Sequence, residues 1–347
     1  MRITQKELLN AMNYSNLLYD ARWNADHGIG RFSREISKSK TCKRISDIKG
    51  DFDDIFSPLD PLLLWAKILN QKKTFISPSY NVPAFSSKRA IITIHDLMHI
   101  RFYKSIKNKL YYSLLVKKVC QNSPIIFTVS NYTKKEICEW ANIDSDKVIV
   151  IYNGVDEQFN YKVLPFIHRR PYLLYIGNKK KHKNIIRLIT GYSKSEAIKS
   201  YDLLISGEPD QKLRNLIENL SISGKVFFTG FIKEEQLPAY YKGAHAFLMP
   251  SLYEGFGLPI IEAMAVGTPV LTSNITAMPE IAGDAALLVN PYDIDDIAHG
   301  INRICFDHDL RRKLSNAGLE RVKLFNWDKT RKIWDDALEK YIGFEKK

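Results

Sequence analysis

The chain has 347 residues, 45% of them apolar and 26% charged, which suffices for two ordinary domains that each bury a core. Its longest apolar runs, such as residues 61–66, are too short to cross a bilayer, and the opening residues 1–7 lack the apolar core of a signal peptide. The net charge of +13 is uneven: 25 Lys and Arg stand against 16 Asp and Glu in residues 1–165, and 26 against 22 in the rest.

Such a basic first half suits nucleic acid, anionic lipid headgroups or a pyrophosphate-bearing substrate, and charge alone does not choose among them. Cys42, Cys120, Cys138 and Cys305 show neither metal-ligand nor Cys-x-x-Cys spacing. That is the usage of a reduced cytosolic protein, with buried packing expected for each.

In chain order, strand-like runs fall at 16–20, 73–76, 90–94, 124–129 and 147–151, and again at 172–176, 202–205, 225–228, 246–249 and 269–272. Helix-like stretches alternate with them, predicting an α/β architecture with parallel sheets. Continuous β-branched runs fit strands covered on both faces. Two such sets do not merge comfortably, so two doubly wound domains are expected, 1–165 and 166–328, joined by a basic, proline-bounded linker at 162–171.

Gly28-Ile29-Gly30-Arg31-Phe32-Ser33 follows the first strand. As a dinucleotide fingerprint it fails, because Ser33 stands where a third glycine is needed, which weakens an NAD-linked reading. His95 and Asp96 close the strand at 90–94, the end of a parallel strand where ligands bind. Residues 101–118 mix cations with aromatics on an expected helix. Its face either lies on an anionic membrane or packs its apolar side into the core. After the strand at 172–176, Gly177 leads into Asn178-Lys179-Lys180-Lys181-His182-Lys183, a cationic loop with room for an anion.

Residues 250–269 are the most informative stretch. Glu254 and Glu262, with seven residues between them, flank a turn containing Gly255 and Gly257 that opens a short helix. Pro259 suits the first helical turn and Gly267 the position just past the end. The helix start offers N–H groups to a phosphate, and carboxylates suit sugar or ribose hydroxyls. Asp-x-Asp pairs at 51–53, 144–146 and 293–295 sit in polar stretches and read as loop and cap chemistry, so no metal is expected.

The whole run 250–269 closely resembles the donor-site signature of the retaining glycosyltransferases of family 4, the glycogen-synthase-like enzymes with the GT-B fold. Similarity to that family runs from about Leu17 to Trp334, with residues 1–15 resembling an extension and 38–70 unfamiliar. The resemblance implies two Rossmann-like domains facing across a cleft, the donor nucleotide on 166–328 and the acceptor largely on 1–165. The last helix, 329–347, would cross back to the first domain. Lys183 would neutralise the donor pyrophosphate beside Gly177 and Asn178, the latter standing where many members carry arginine. Phe231 and Ile232 would flank the nucleobase. Glu254 would take sugar hydroxyls, Glu262 the ribose, and the backbone at Gly255, Phe256, Gly257 and Leu258 the diphosphate. His95 would contact the transferred sugar, with Asp96 orienting it or capping the next segment. Gly30 would adjoin the donor, and Gly28 and Arg31 the acceptor side, Arg31 either touching substrate or packing.

What the resemblance implies is hexose transfer from a nucleotide sugar to a hydroxyl with retention of configuration. His95, Lys183 and Glu254 would act in catalysis, with no cofactor. The subtype looks most like mannosyltransferases using GDP-mannose, although UDP-hexose enzymes share every motif. The acceptor would be lipid-linked or another glycan in O-antigen or capsule synthesis. The protein would be cytoplasmic, or peripheral on the inner face of the membrane. A nucleic-acid-binding module is the alternative class, which charge suggests and for which no binding motif is present.

Overall fold

The computed structural model describes residues 14–23, 28–50, 55, 57, 59–69, 73–85, 90–103 and 106–344. Residues 1–13 of the extension and Asp51-Phe52-Asp53 lie outside the described residues. Up to Gly154 and from Trp327 onward they form one compact unit, and Val155–Asn326 forms the other.

In the first unit, β1 (Leu17–Asp20), β2 (Ser46–Ile48), β3 (Thr74–Ser77), β4 (Ala90–Ile94), β5 (Ile126–Thr128) and β6 (Val148–Val150) make a parallel sheet ordered β2-β1-β3-β4-β5-β6. Alternate residues point to opposite faces, so Leu18, Phe75 and Ile92 enter one core while Leu17, Ile76 and Ile91 enter another. In the second unit, β7 (Tyr172–Tyr175), β8 (Asp202–Ile205), β9 (Val226–Phe228), β10 (Ala246–Met249), β11 (Val270–Ser273) and β12 (Ala286–Val289) form a sheet ordered β12-β11-β10-β7-β8-β9. Every pairing is again parallel. Helices cover these strands, and β7, β8, β10 and β11 are buried along their whole length.

β2 and β12 carry no expected strand, and both are edge strands. β2 is three residues, Ser-Asp-Ile, with two exposed. β12 begins in an alanine-rich stretch that lacks the β-branched run of its neighbours.

The division falls after Gly154 rather than at residue 165. Residues 155–165 pack inside the second unit: the Phe159 ring meets Tyr241 edge-on at 6.0 Å, and Lys242 Nζ sits 3.6 Å over the Tyr161 ring. The expected linker packs there too, with Phe166 stacked on Tyr240 at 4.1 Å.

The last helix, Trp327–Phe344, belongs to the first unit. Trp334 is fully buried and stacks on Phe127 of β5 at 4.2 Å. Arg331 Nη1 pairs with Glu35 Oε2 at 2.5 Å, and Asp335 accepts from the backbone N–H groups of Lys40 and Thr41 at 3.0 and 2.9 Å. Where the chain leaves this unit it passes directly against its point of return. A Cβ on Gly154 would lie 2.5 Å from the Trp327 backbone nitrogen, so no side chain fits.

The basic and aromatic segment forms the helices Ile106–Tyr111 and Lys117–Asn122, with one π-helical turn, Tyr112–Val116, between them. Tyr112, Val116 and Val119 are buried. A second stripe, Ile106, Leu110 and Leu114, recurs every four residues and is more than half exposed.

Candidate active site

The chain winds β7 to β8 to β9 on one side and returns to start β10 on the other flank of β7. The β7/β10 boundary is therefore the switch point of the second sheet, where open α/β sheets bind ligands beyond the strand ends. The loops following those two strands bring Lys183 and Glu254 together. Lys183 Nζ donates to Glu254 Oε1 at 2.7 Å, with the side chains 14% and 11% exposed.

Several backbone contacts hold that pair. Leu252 N–H donates to His182 O at 2.7 Å, tying the lysine loop to the turn after β10. Asn184, buried and in the left-handed region at φ 60°, donates through Nδ2 to Pro250 O at 2.9 Å and Pro291 O at 2.7 Å. Asn184 is thus a clamp that fixes the residue before it. On the Glu254 side, the backbone N–H donates to Thr276 Oγ1 at 3.3 Å. Burial, and next the charge of Glu254, hold the hydroxyl of Tyr175 well above the usual phenol range.

The glycine turn opens the helix Leu258–Ala265 as its sequence requires. Gly257 caps it at φ 98° and Pro259 occupies the first turn. Glu262 sits inside that helix, 4% exposed, with Oε2 accepting from the Tyr241 hydroxyl at 2.9 Å. Gly177 N–H donates to Ser206 Oγ at 3.0 Å, joining the ends of β7 and β8. Asn178 does loop work: its Oδ1 accepts from the Lys180 N–H at 3.1 Å, and Tyr175 OH donates to its carbonyl at 3.2 Å. Lys179 reaches toward the Phe228 ring, 6.0 Å from its centroid. Beyond β9, Gly230 pairs with Gly207, followed by Phe231, 85% exposed, and Ile232, which is buried. Outside the lysine loop a cavity of about 520 Å³ is lined by Lys179, Lys180, Lys181, Arg187 and Lys212 above Ile185 and Leu213.

The remaining candidates lie in the first unit. His95 follows β4, and its Nε2 lies 2.8 Å from Pro78 O, just past β3. A carbonyl only accepts, so Nε2 carries the proton of that contact. Phe32 meets the imidazole edge-on at 4.8 Å. Asp96 Oδ1 accepts from Met98 N–H at 2.8 Å at the start of the short helix Met98–Arg101. Gly28 and Gly30 lie within the helix Gly28–Ser37, with Gly30 buried and Arg31 half-buried. The Tyr19 hydroxyl donates to Ser33 O at 3.2 Å and lies 3.1 Å from Ser33 Oγ. Of the Asp-x-Asp pairs, Asp293 caps the helix Ile294–Phe306 by accepting from the Asp295 and Asp296 N–H groups.

Comparison with known proteins identifies the family. The family model "Glycosyl transferases group 1" matches residues 156–321, and "Glycosyltransferase Family 4" matches 64–159. The chain is 31% identical over 282 residues to O-antigen chain mannosyltransferase B of Escherichia coli, covering 76% of this chain and 73% of that one. It is 33% identical over 228 residues to O-antigen chain mannosyltransferase RfbU of Salmonella typhimurium, covering 64% and 62%. Among solved structures it is similar to Anabaena Alr3699/HepE in complex with UDP and glucose, at a TM-score of 0.77 and 18% identity over 93% of this chain and 99% of that one. It is also similar to sucrose-phosphate synthase from Thermosynechococcus elongatus, at a TM-score of 0.75 and 20% identity over 95% and 99%. The chain belongs to glycosyltransferase family 4 and has the GT-B fold.

Proposed function

We propose that this glycosyltransferase moves mannose from GDP-mannose, with retention of configuration, to a hydroxyl of a lipid-linked oligosaccharide in O-antigen or capsule synthesis. The observation that carries the reading is the Lys183–Glu254 pair at the sheet's switch point. Expelling a nucleoside diphosphate from a hexose builds negative charge on the leaving group, and a fixed cation aimed at it lowers that barrier. Lys183 supplies the cation, and the amides of the turn around Gly257 supply dipoles. Glu254 holds the ammonium before the donor arrives, then grips sugar hydroxyls. Glu262, oriented by Tyr241, takes the ribose. The C1–O bond to the diphosphate breaks while the acceptor oxygen bonds C1 on the same face. The acceptor proton passes to the leaving phosphate.

Mannose as the sugar is supported by the names of the two O-antigen mannosyltransferases to which the chain is about a third identical. Contact with an anionic bilayer is supported by the exposed Ile106, Leu110 and Leu114 stripe beside exposed Lys109 and Lys118. Among the described residues no helix is long and apolar enough to cross a membrane. A cytoplasmic place, with the chain peripheral on the inner face, fits that stripe.

Thermal-shift titration with GDP, UDP and ADP and their sugars tests the donor. GDP and GDP-mannose are expected to raise the midpoint most. A rise with UDP alone reassigns the donor to a UDP-hexose, and no rise with any nucleotide removes the nucleotide-sugar site. NMR of the product's anomeric carbon tests retention. Flotation with anionic liposomes tests the membrane contact, which requires salt-sensitive binding.

A further inference from the structure

On the second unit, at the end of the sheet where β7, β10 and β11 begin, a cavity of about 410 Å³ opens. It is lined by Lys242, His245, His308, Arg311, Arg312 and Ser315 with neighbouring backbone. Its lining contains cations and imidazoles and no carboxylate. Arg312 is turned outward to Asp309, at 2.8 Å. Arg311 differs. Among the described residues no carboxylate pairs with it, and its Nε is buried without a hydrogen-bond partner. Nη1 approaches only as near as 3.4 Å to His308 Nδ1. A buried guanidinium N–H is costly until an oxygen meets it, and native structures leave few such groups unmet.

The other cation is also held by neutral partners. Lys242 Nζ donates to Val266 O at 3.0 Å and rests on the Tyr161 ring. Burial depresses its pKa, and burial with the charges of Arg311 and His308 drives His245 down to about 4, so its ring stays neutral near pH 7. His245 Nε2 donates to Cys305 O at 3.2 Å. The carbonyl end of the helix Leu258–Ala265, which would repel an anion, is partly masked because Ser315 Oγ donates to Gly267 O at 2.6 Å.

We propose that this cavity binds a small phosphate ester, a site separate from the donor site, with Arg311 as its principal ligand. Surplus positive charge without a carboxylate selects an anion, and the forked guanidinium suits phosphate oxygens. The volume lies in the range of small-molecule pockets and exceeds what a bare phosphate fills. The inference goes beyond the sugar-transfer reading and does not depend on which nucleotide the donor site takes.

The test uses the full chain and thermal midpoints with inorganic phosphate, pyrophosphate and glucose 1-phosphate. Each is titrated against wild type, Lys183→Ala, Arg311→Gln and Ser315→Glu. Glucose 1-phosphate is expected to raise the midpoint of wild type and Lys183→Ala alike, with apparent affinity lower by about tenfold or more in Arg311→Gln and Ser315→Glu. Ser315→Glu adds a carboxylate to the cavity and keeps Arg311, so the test survives if Arg311→Gln does not fold. No rise with any of the three ligands overturns the proposal. A rise that vanishes in Lys183→Ala and persists in the two cavity variants also overturns it, because the ligand then occupies the donor site. Pyrophosphate or orthophosphate binding better than the ester overturns the ester assignment.

Discussion

Lys183 and Asn184 are neighbours with different duties, and mutating them separates the two. If the proposed mechanism holds, Lys183→Ala removes the cation opposing the leaving group and is expected to lower kcat by roughly 10²–10³, as losing one oxyanion donor does. Asn184→Ala leaves the ammonium in place and strips hydrogen bonds from the carbonyls of Pro250 and Pro291. Its stability cost is about 1–3 kcal/mol, with a smaller fall in kcat, because Lys183 loses its alignment and keeps its charge. Steady-state kinetics with chemical denaturation of both variants checks the order. Equal loss of kcat would make the clamp as important as the cation.

Motif and spacing single out Lys183 and Glu254 in the sequence, and the structure pairs the two side chains. Asn184 was not legible, since its value depends on where Pro250 and Pro291 come to rest, 66 and 107 residues away. Asn178 stands where many family members carry arginine, and its side chain satisfies the Lys180 amide.

At the scale of elements, the central strands were readable because parallel strands buried on both faces are continuous apolar runs. The edge strands β2 and β12 were not, since each lacks the β-branched or aromatic run that made the edges β6 and β9 readable. The unit boundary was also misplaced, because a proline-bounded basic stretch resembles a linker even when Phe166 stacks on Tyr240. Gly154 marks the real crossing. Gly154→Ala forces a methyl into the Trp327 backbone and ring, at 2.5–2.7 Å. It is expected to cost about 1–3 kcal/mol by overpacking, read as a lower urea midpoint.

The start of β10 carries a pH signature. His245 titrates near 4 in the fold and near its ordinary 6.5 when unfolded. The unfolded chain therefore binds the extra proton first, and stability present above pH 6.5 is lost as pH falls toward 4. His245→Phe keeps the ring beside Tyr201 and removes the proton site. Its urea midpoint is expected to fall less steeply than that of wild type between pH 6.5 and 4. Parallel curves would assign the acid sensitivity to other groups.

For the whole molecule, each unit owns a six-stranded sheet and its own apolar cores. The C-terminal helix belongs to the first unit, although its sequence follows directly on the second. Trp334 is the residue that commits it, fully buried with Phe127 and Phe32 against its ring. Trp334→Ala should cost the first unit about 3–5 kcal/mol and leave the sheet β12-β11-β10-β7-β8-β9 intact. Scanning calorimetry is then expected to resolve two transitions, the lower one belonging to the weakened unit. A nucleotide held by the second unit, at a hundred times its Kd, adds about 2.7 kcal/mol to that unit alone, so it should move the upper transition and leave the lower one in place. A single transition shifted equally by the mutation and by the nucleotide would mean that the helix stabilises both units at once, and that the division after Gly154 does not govern how this chain unfolds.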